Sequence, residues 1–187
     1  MRLKVTSYIL LVGFIISLIW LALVVSASYL VQANTLHDLS GSVSVKDNAD
    51  QFSDLDALPK AIYSIGDIEC HQIASRSLFL NGNEMPFCAR DLGLFIGLAA
   101  GLGFVTFYRY KVNPILALAG LVPMGVDGGL QLVTDYESNN ALRLATGVIA
   151  GVAMILLISL YVFLLSEDRK SATKERKNEG PQGRPDS

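Results

Sequence analysis

Residues 8–25 read YILLVGFIISLIWLALVV, an apolar run with no charged side chain. The run continues to Val31, and a helix needs about 20 predominantly apolar residues to cross a bilayer. A secretory signal peptide competes for the same segment, because Met1-Arg2-Leu3-Lys4 is basic and Ser26-Ala27-Ser28 are small. Signal peptides, however, carry an apolar region of only about 7–15 residues. The longer run here reads as a retained transmembrane helix over residues 8–31.

Three further stretches outward from it have the same character, at 92–108, 114–133 and 141–165. The composition agrees, with 51% hydrophobic and 17% charged residues and a mean hydropathy of +0.43. The expected fold is an all-α membrane protein: a four-helix transmembrane bundle with a small extracytoplasmic segment containing an amphipathic helix and a β-hairpin. Basic residues set the orientation, since loops rich in Lys and Arg stay in the cytoplasm. Arg2 and Lys4 precede the first span, and Arg109 and Lys111 sit in the turn 109–113. Arg169, Lys170, Lys174, Arg176 and Lys177 follow the fourth span. Four spans put all three clusters on one side. A cytoplasmic N-terminus (1–7) and a cytoplasmic tail (166–187) follow, in a multi-pass protein of the cell membrane. The acidic segment 32–91 and the link 134–140 then lie outside. No basic patch interleaved with aromatics appears, which argues against nucleic-acid binding.

Within the outer segment, residues 33–56 are polar and aperiodic and read as a loosely ordered loop. Leu58, Ile62, Ile65, Ile68 and Ile73 fit a helical stripe over 58–74 that lies on the membrane or caps the bundle. Asn81-Gly82 is a preferred pair for a type I′ turn, so 76–87 reads as a hairpin that folds Cys88 back toward Cys70. The tail after Glu167 has little to bury and is expected to be disordered. Gly93, Gly97 and Gly101 recur every four residues, as do Gly147 and Gly151. Small residues at this spacing let helix backbones approach closely in lipid, and we favour a contact within the chain over one between copies.

The two cysteines, Cys70 and Cys88, both fall in the outer segment. A disulfide is the favoured reading in an oxidising compartment, and closing such a loop contributes roughly 3 kcal/mol. Metal binding is the sharper reading. Cys70, His71, Cys88 and Asp91 supply sulfur, nitrogen and oxygen donors that suit zinc or another divalent ion. Against it, neighbours such as Cys70 and His71 on a helix would point about 100° apart. Free or redox-active thiols are the third option. Asp127 lies inside the third span, where an ionisable residue is a site candidate by default. Gln131 shares its face, and Pro123 with the nearby glycines implies a kink or break. A structural pair between Asp127 and Arg143 is the plain alternative. Arg90 and Asp91 mark the mouth of the second span, and Glu137, Asn139 and Asn140 lie in the outer link. His71, Arg90, Asp91, Asp127, Gln131 and Arg143 are therefore the candidate ligand-binding set, gathered at one depth.

Cys70-His71-Gln72, Arg76-Ser77, Cys88-Ala89-Arg90, Pro123-Met124, Asp127-Gly128 and the run from Glu137 to Gly147 carry a resemblance. Over residues 68–151 the chain resembles a family of small prokaryotic membrane proteins catalogued as a domain of unknown function. The resemblance implies that these residues act as a set and supplies no activity or cofactor. Many members continue Cys-Ala-Arg with another cysteine, where this chain has Asp91. A family thiolate cluster would thus lose one ligand here, which favours the disulfide.

Three classes of function remain. The first is a polar site at the outer face that binds a metal ion or a small anionic or lipid-headgroup ligand, where His71 or Asp127 would be the general base if catalysis occurs, though no nucleophile–base pair is legible. The second is a structural or accessory subunit of a larger membrane complex. The third is a small-solute or ion transporter, which would need several copies. The expected partners are the lipid bilayer and either a second copy or a membrane-complex subunit.

Overall fold

The computed structural model describes residues 2–39, 41–108 and 112–178, with the backbone alone for 2–7, 163 and 166–178. Its elements run α1 (Arg2–Leu30), α2 (Ala57–Glu69), β1 (Ser77–Leu80), β2 (Asn83–Cys88), α3 (Ala89–Phe107), α4 (Pro114–Ala119), α5 (Val122–Val133) and α6 (Asn140–Asn178). Four helical segments are long and apolar enough to cross a membrane: Tyr8–Leu30, Ala89–Phe107, Pro114–Val133 and Asn140–Val162. The fold is thus the expected all-α membrane bundle with a small hairpin. The end of α1, the start of α3, the end of α5 and the start of α6 converge on one side, where residues 32–88 form a cap.

The third span is two helices. Pro123 has no N–H to give the Ala119 carbonyl, so α4 stops at Ala119 and a tight Leu121 N–H to Leu118 carbonyl bond (3.1 Å) carries the chain into α5. Asn113 starts α4, its side chain accepting from the Ile115 and Leu116 amides. The second span begins at Ala89, a turn before the expected Leu92, with Cys88 as its N-cap. The fourth helix continues to Asn178, well into the stretch expected to be disordered. Residues 166–178 contain neither Gly nor Pro, and extending an existing helix avoids the nucleation cost. The rest of the tail, 179–187, and Arg109 and Lys111 of the turn lie outside the described residues.

The glycines pack α3 against α6. A Cβ on Gly93 would run into the Leu144 carbonyl oxygen, on Gly97 into that of Val148, and on Gly147 into that of Arg90. The close approach is within the chain, as favoured from the spacing.

The cap departs from expectation in two ways. The stretch before α2 has no regular structure, yet it is packed: Leu36, Leu39 and Phe52 are buried in the main apolar core with Val24, Tyr63 and Met85. The Ser44 N–H donates to the Ile68 carbonyl (2.7 Å), and the Asn48 side chain donates to Asp67 (2.6 Å). Scattered anchors of this kind leave no period to read. The stripe on α2 is also rotated. The helix ends at Glu69, its buried face carries Pro59, Ile62, Tyr63, Gly66 and Asp67, and Leu58 and Ile65 face out. The inward face is partly polar because Asp67 is satisfied by Asn48, and Gly66 lies there because the β2 backbone at Pro86 leaves no room for a Cβ.

The hairpin forms as expected, with positive φ at Asn81 (54°) and Gly82 (72°). It pairs Leu80 with Asn83 and Ser77 with Cys88. Asn83 then closes the C-terminus of α1: its Nδ2 donates to the Ser28 (3.0 Å) and Gln32 (3.0 Å) carbonyls, and its Oδ1 accepts from Thr35 and Leu36. Helix ends leave carbonyls without intrahelical partners, so one buried amide locks α1 to the hairpin.

Candidate functional site

Gln72 is the hinge on which the site turns. It has positive φ (44°) and is fully buried, its amide donating to the Pro86 carbonyl (2.9 Å) while its oxygen accepts from Asn48 (3.3 Å). Positive φ is uncommon for a residue with a side chain, and here it is held by bonds to two other segments. The turn lays Cys70 beside the end of β2, where its sulfur accepts from the Cys88 N–H (3.4 Å). The Cys88 thiol in turn donates to Asp91 (3.2 Å), one turn into α3.

The two sulfurs and an Asp91 carboxylate oxygen lie within 4.8 Å of one another. The sulfurs are not bonded to each other. The hydrogen bond with Cys88, then burial, pushes the Cys70 thiol up; the same contact from Cys70 holds Cys88 down, with burial and Asp91 opposing. Thiolate is the form that binds metal or attacks, and Cys88 is the one of the pair nearer that state.

His71 does not join this group. Cys70 is extended (φ −132°, ψ 151°), and successive side chains of extended backbone point to opposite sides. The His71 Nδ1 instead meets the Gly41 carbonyl oxygen (3.1 Å). Both residues still line a pocket of about 180 Å³ at the seam between cap and bundle. Its lining brings Glu69, Cys70, Cys88 and Asp91 together with Arg76, Arg90, Gln131 and Arg143.

Asp127 is 5% exposed and pairs with Arg90, not with Arg143. The reason is register: Arg90 in the first turn of α3 reaches it directly, and Gln131 stands between it and Arg143. Gln131 Nε2 donates to Asp127 (3.2 Å) and to Ser138 Oγ (2.9 Å), while its Oε1 accepts from Arg143 (3.2 Å). Ser138 is buried and also donates to Asp127 (3.3 Å). Arg143 lines the pocket, and Asp127 sits behind it.

The link before α6 ties bundle to cap residue by residue. Glu137 faces Arg76 (3.6 Å) and Arg143 (3.5 Å) and accepts from Ser75 (3.3 Å). The Ser75 bond, then the two arginines, holds its carboxyl below the usual range. Asn139 caps α6 through the Leu142 N–H (2.8 Å), and Asn140 donates to the Ser77 carbonyl (2.9 Å). Reading single residues for charge and depth passes over Gln72, Arg76 and Ser138, which enter only through the runs that carry the resemblance. The signal that holds them is their density in short polar runs beside a span.

These runs coincide with a family match. The model of a family described as "Predicted membrane protein (DUF2085)" matches residues 70–157, from Cys70 into α6. An uncharacterised protein of Methanocaldococcus jannaschii is 36% identical over 102 residues, covering 52% of this chain and 65% of that relative's own length. An uncharacterised protein of Methanothermobacter thermautotrophicus is 31% identical over 99 residues, covering 51% of this chain and 89% of the relative. No solved structure matches the chain. The matched span holds both cysteines, the Arg90–Asp127 pair and Arg143, while α1 and most of the cap lie before it. The chain belongs to the DUF2085 family of predicted membrane proteins.

Proposed function

We propose that this membrane protein binds a thiophilic divalent cation of the zinc class in the pocket under its cap, through Cys70, Cys88 and Asp91. The observation that carries the reading is the convergence of two sulfurs and a carboxylate within 4.8 Å beside that pocket. Sulfur and oxygen donors suit zinc, and a site with three protein ligands keeps its fourth position for an outside group. The cap faces outward and both termini are cytoplasmic, a topology supported by the basic residues at the far ends of the helices. Two thiols that stay reduced in an oxidising compartment would need protection, and a bound metal would supply it.

The test is metal content and thiol state together, on protein purified from membranes without reductant. One equivalent of zinc, thiols that resist alkylation until chelator is added, and loss of both in Cys88→Ser are expected. The contact between Cys70 and the Cys88 backbone favours one other reading, a Cys70–Cys88 disulfide that staples the cap. An intact mass two hydrogen atoms short, with no metal, establishes that reading and overturns the first. A reporter that folds only in the cytoplasm, fused after Ser187, is expected to be active; silence there would invert the topology.

A further inference from the structure

We propose that the arginine-lined part of the pocket is an oxyanion subsite, built from Arg143 and Arg76, that takes a phosphate-type group. This rests on the reading of the pocket as a ligand site and names the class of its ligand; the identity of the metal does not enter.

Arg143 is the residue that requires an explanation. It is 1% exposed, and a buried charge is costly unless it is paired and hydrogen-bonded. Its bonds go to neutral acceptors: the Ser75 carbonyl (3.3 Å), the Asn140 side chain (3.3 Å) and Gln131 Oε1 (3.2 Å). Its carboxylate partner among the described residues is Glu137, 3.5 Å away and with a side chain 56% exposed. Arg76 depends on the same Glu137 oxygen, at 3.6 Å. Two guanidinium groups therefore share one carboxylate that water already screens. The Nε of each is buried and has no hydrogen-bond partner, that of Arg76 facing Glu137 only at ion-pair distance. Both side chains line the pocket.

Glu69 and Asp91 also line the pocket, and among the described residues neither forms an ion pair. A pocket lined by unpaired carboxylates as well as under-compensated guanidiniums fits a cation that carries an anion. Guanidinium forks match the oxygens of phosphate. The group can arrive as free phosphate or as the headgroup of a phosphomonoester lipid, since the pocket lies where the cap meets the bundle.

The experiment uses the full chain in phosphatidylcholine nanodiscs. Inorganic phosphate is titrated by calorimetry in one arm, and phosphatidic acid is built into the disc in the other, read as a shift in thermal unfolding. Zinc content is measured on every sample. Saturable phosphate binding, weakened about ten-fold or more in Arg76→Gln, supports a free-phosphate ligand. Stabilisation by phosphatidic acid alone, lost in the same variant, supports the lipid source. Arg143→Lys keeps the charge but not the fork, and folded Arg143→Lys protein is expected to lose the response as well. Binding that both variants leave unchanged, or no response in either arm, overturns the inference. Retained zinc in that case leaves the metal reading standing, and its absence removes both.

Discussion

α6 is held by α3 along one side and by α5 along another, and the two contacts are made of opposite materials. Against α3 the contact is shape. Gly93 and Gly97 meet the backbone at Leu144 and Val148, and Gly147 and Gly151 meet the backbone at Arg90 and Leu94. In lipid no hydrophobic drive separates helix from solvent, so such close packing is itself the source of association. Against α5 the contact is polar. The one buried residue of α5 is Asp127, and Gly125 and Gly129 face open space. Its hold is the chain from Arg90 through Asp127 and Gln131 to Arg143. A shape contact offers a ligand nothing to compete for, whereas a polar one does. α5 is therefore the helix that the ligand proposed for the pocket would loosen or tighten.

The largest expected effect comes from cutting that polar chain. Asp127→Ala leaves Arg90 without its carboxylate and removes the Oδ2 acceptor that Gln131 and Ser138 share. Removing one partner of a buried ion pair costs about 3–5 kcal/mol. Hydrogen exchange should show the loss concentrated in α5, with α3 and α6 still protected. Equal loss of protection in all three would mean the two contacts are one cooperative unit and the contrast fails.

Gly97→Ala attacks the other contact. Its new methyl would meet the Val148 carbonyl, a backbone atom that cannot swing aside. Overpacking of this kind costs about 1–3 kcal/mol. Here protection should fall along α3 and α6 together, with α5 following only as far as Arg90 moves. Chemical denaturation in detergent gives the magnitude.

The seam was legible in the sequence and the polar chain only in part, for a physical reason. Glycines at i and i+4 share a helix face whatever the tertiary structure, so Gly93, Gly97, Gly147 and Gly151 announce a close contact by spacing alone. Depth is also local information, which is why Arg90, Asp127, Gln131 and Arg143 could be gathered at one level. Partner choice is not local. Arg90 takes Asp127 because the first turn of α3 faces α5, and Arg143 takes Glu137 and Gln131 instead. The hairpin was readable from Asn81-Gly82, where the turn's backbone demand selects the residues. The packing of 32–56 was not, because Leu36, Leu39 and Phe52 are anchors without a period. Cys70 and Cys88 could be brought near each other by the hairpin, but His71 falls out of the group through the extended backbone at Cys70.

The cap repeats the contrast on a smaller scale, with Gly66 fitted to the Pro86 backbone and Glu84 buried among polar groups. Glu84 accepts from the Leu39 N–H (3.1 Å) through one oxygen, and the other is buried without a partner. Burial raises its pKa. The folded state thus holds the proton to a higher pH than the unfolded chain does. Its contribution is full below the ordinary glutamate value and is lost as pH rises through the folded one. Glu84→Gln keeps an acceptor for Leu39 and removes the charge. A gain on the order of 1 kcal/mol is expected at pH 7, shrinking toward zero as the wild-type carboxyl becomes protonated at acid pH. Melting temperatures of both proteins across that range check it; a constant offset at all pH values would assign the effect to packing.

The smallest effect is the most discriminating for how α5 sits in the membrane. Gly125 has nothing within 4 Å of where a Cβ would stand, so Gly125→Ala meets no obstacle. Replacing a helical glycine by alanine is worth up to about 1 kcal/mol when nothing clashes, and a slight stabilisation is the expected result. The same substitution that breaks the seam at Gly97 should then be harmless or helpful one helix away, and the sign difference isolates shape as the cause. A destabilisation at Gly125 comparable to that at Gly97 would mean another helix is seated on the open face of α5, from a second copy or another subunit. Since α5 gains little from packing inside its own chain, such a neighbour would supply what the seam supplies to α3. The polar chain through Asp127 would then couple the pocket to assembly.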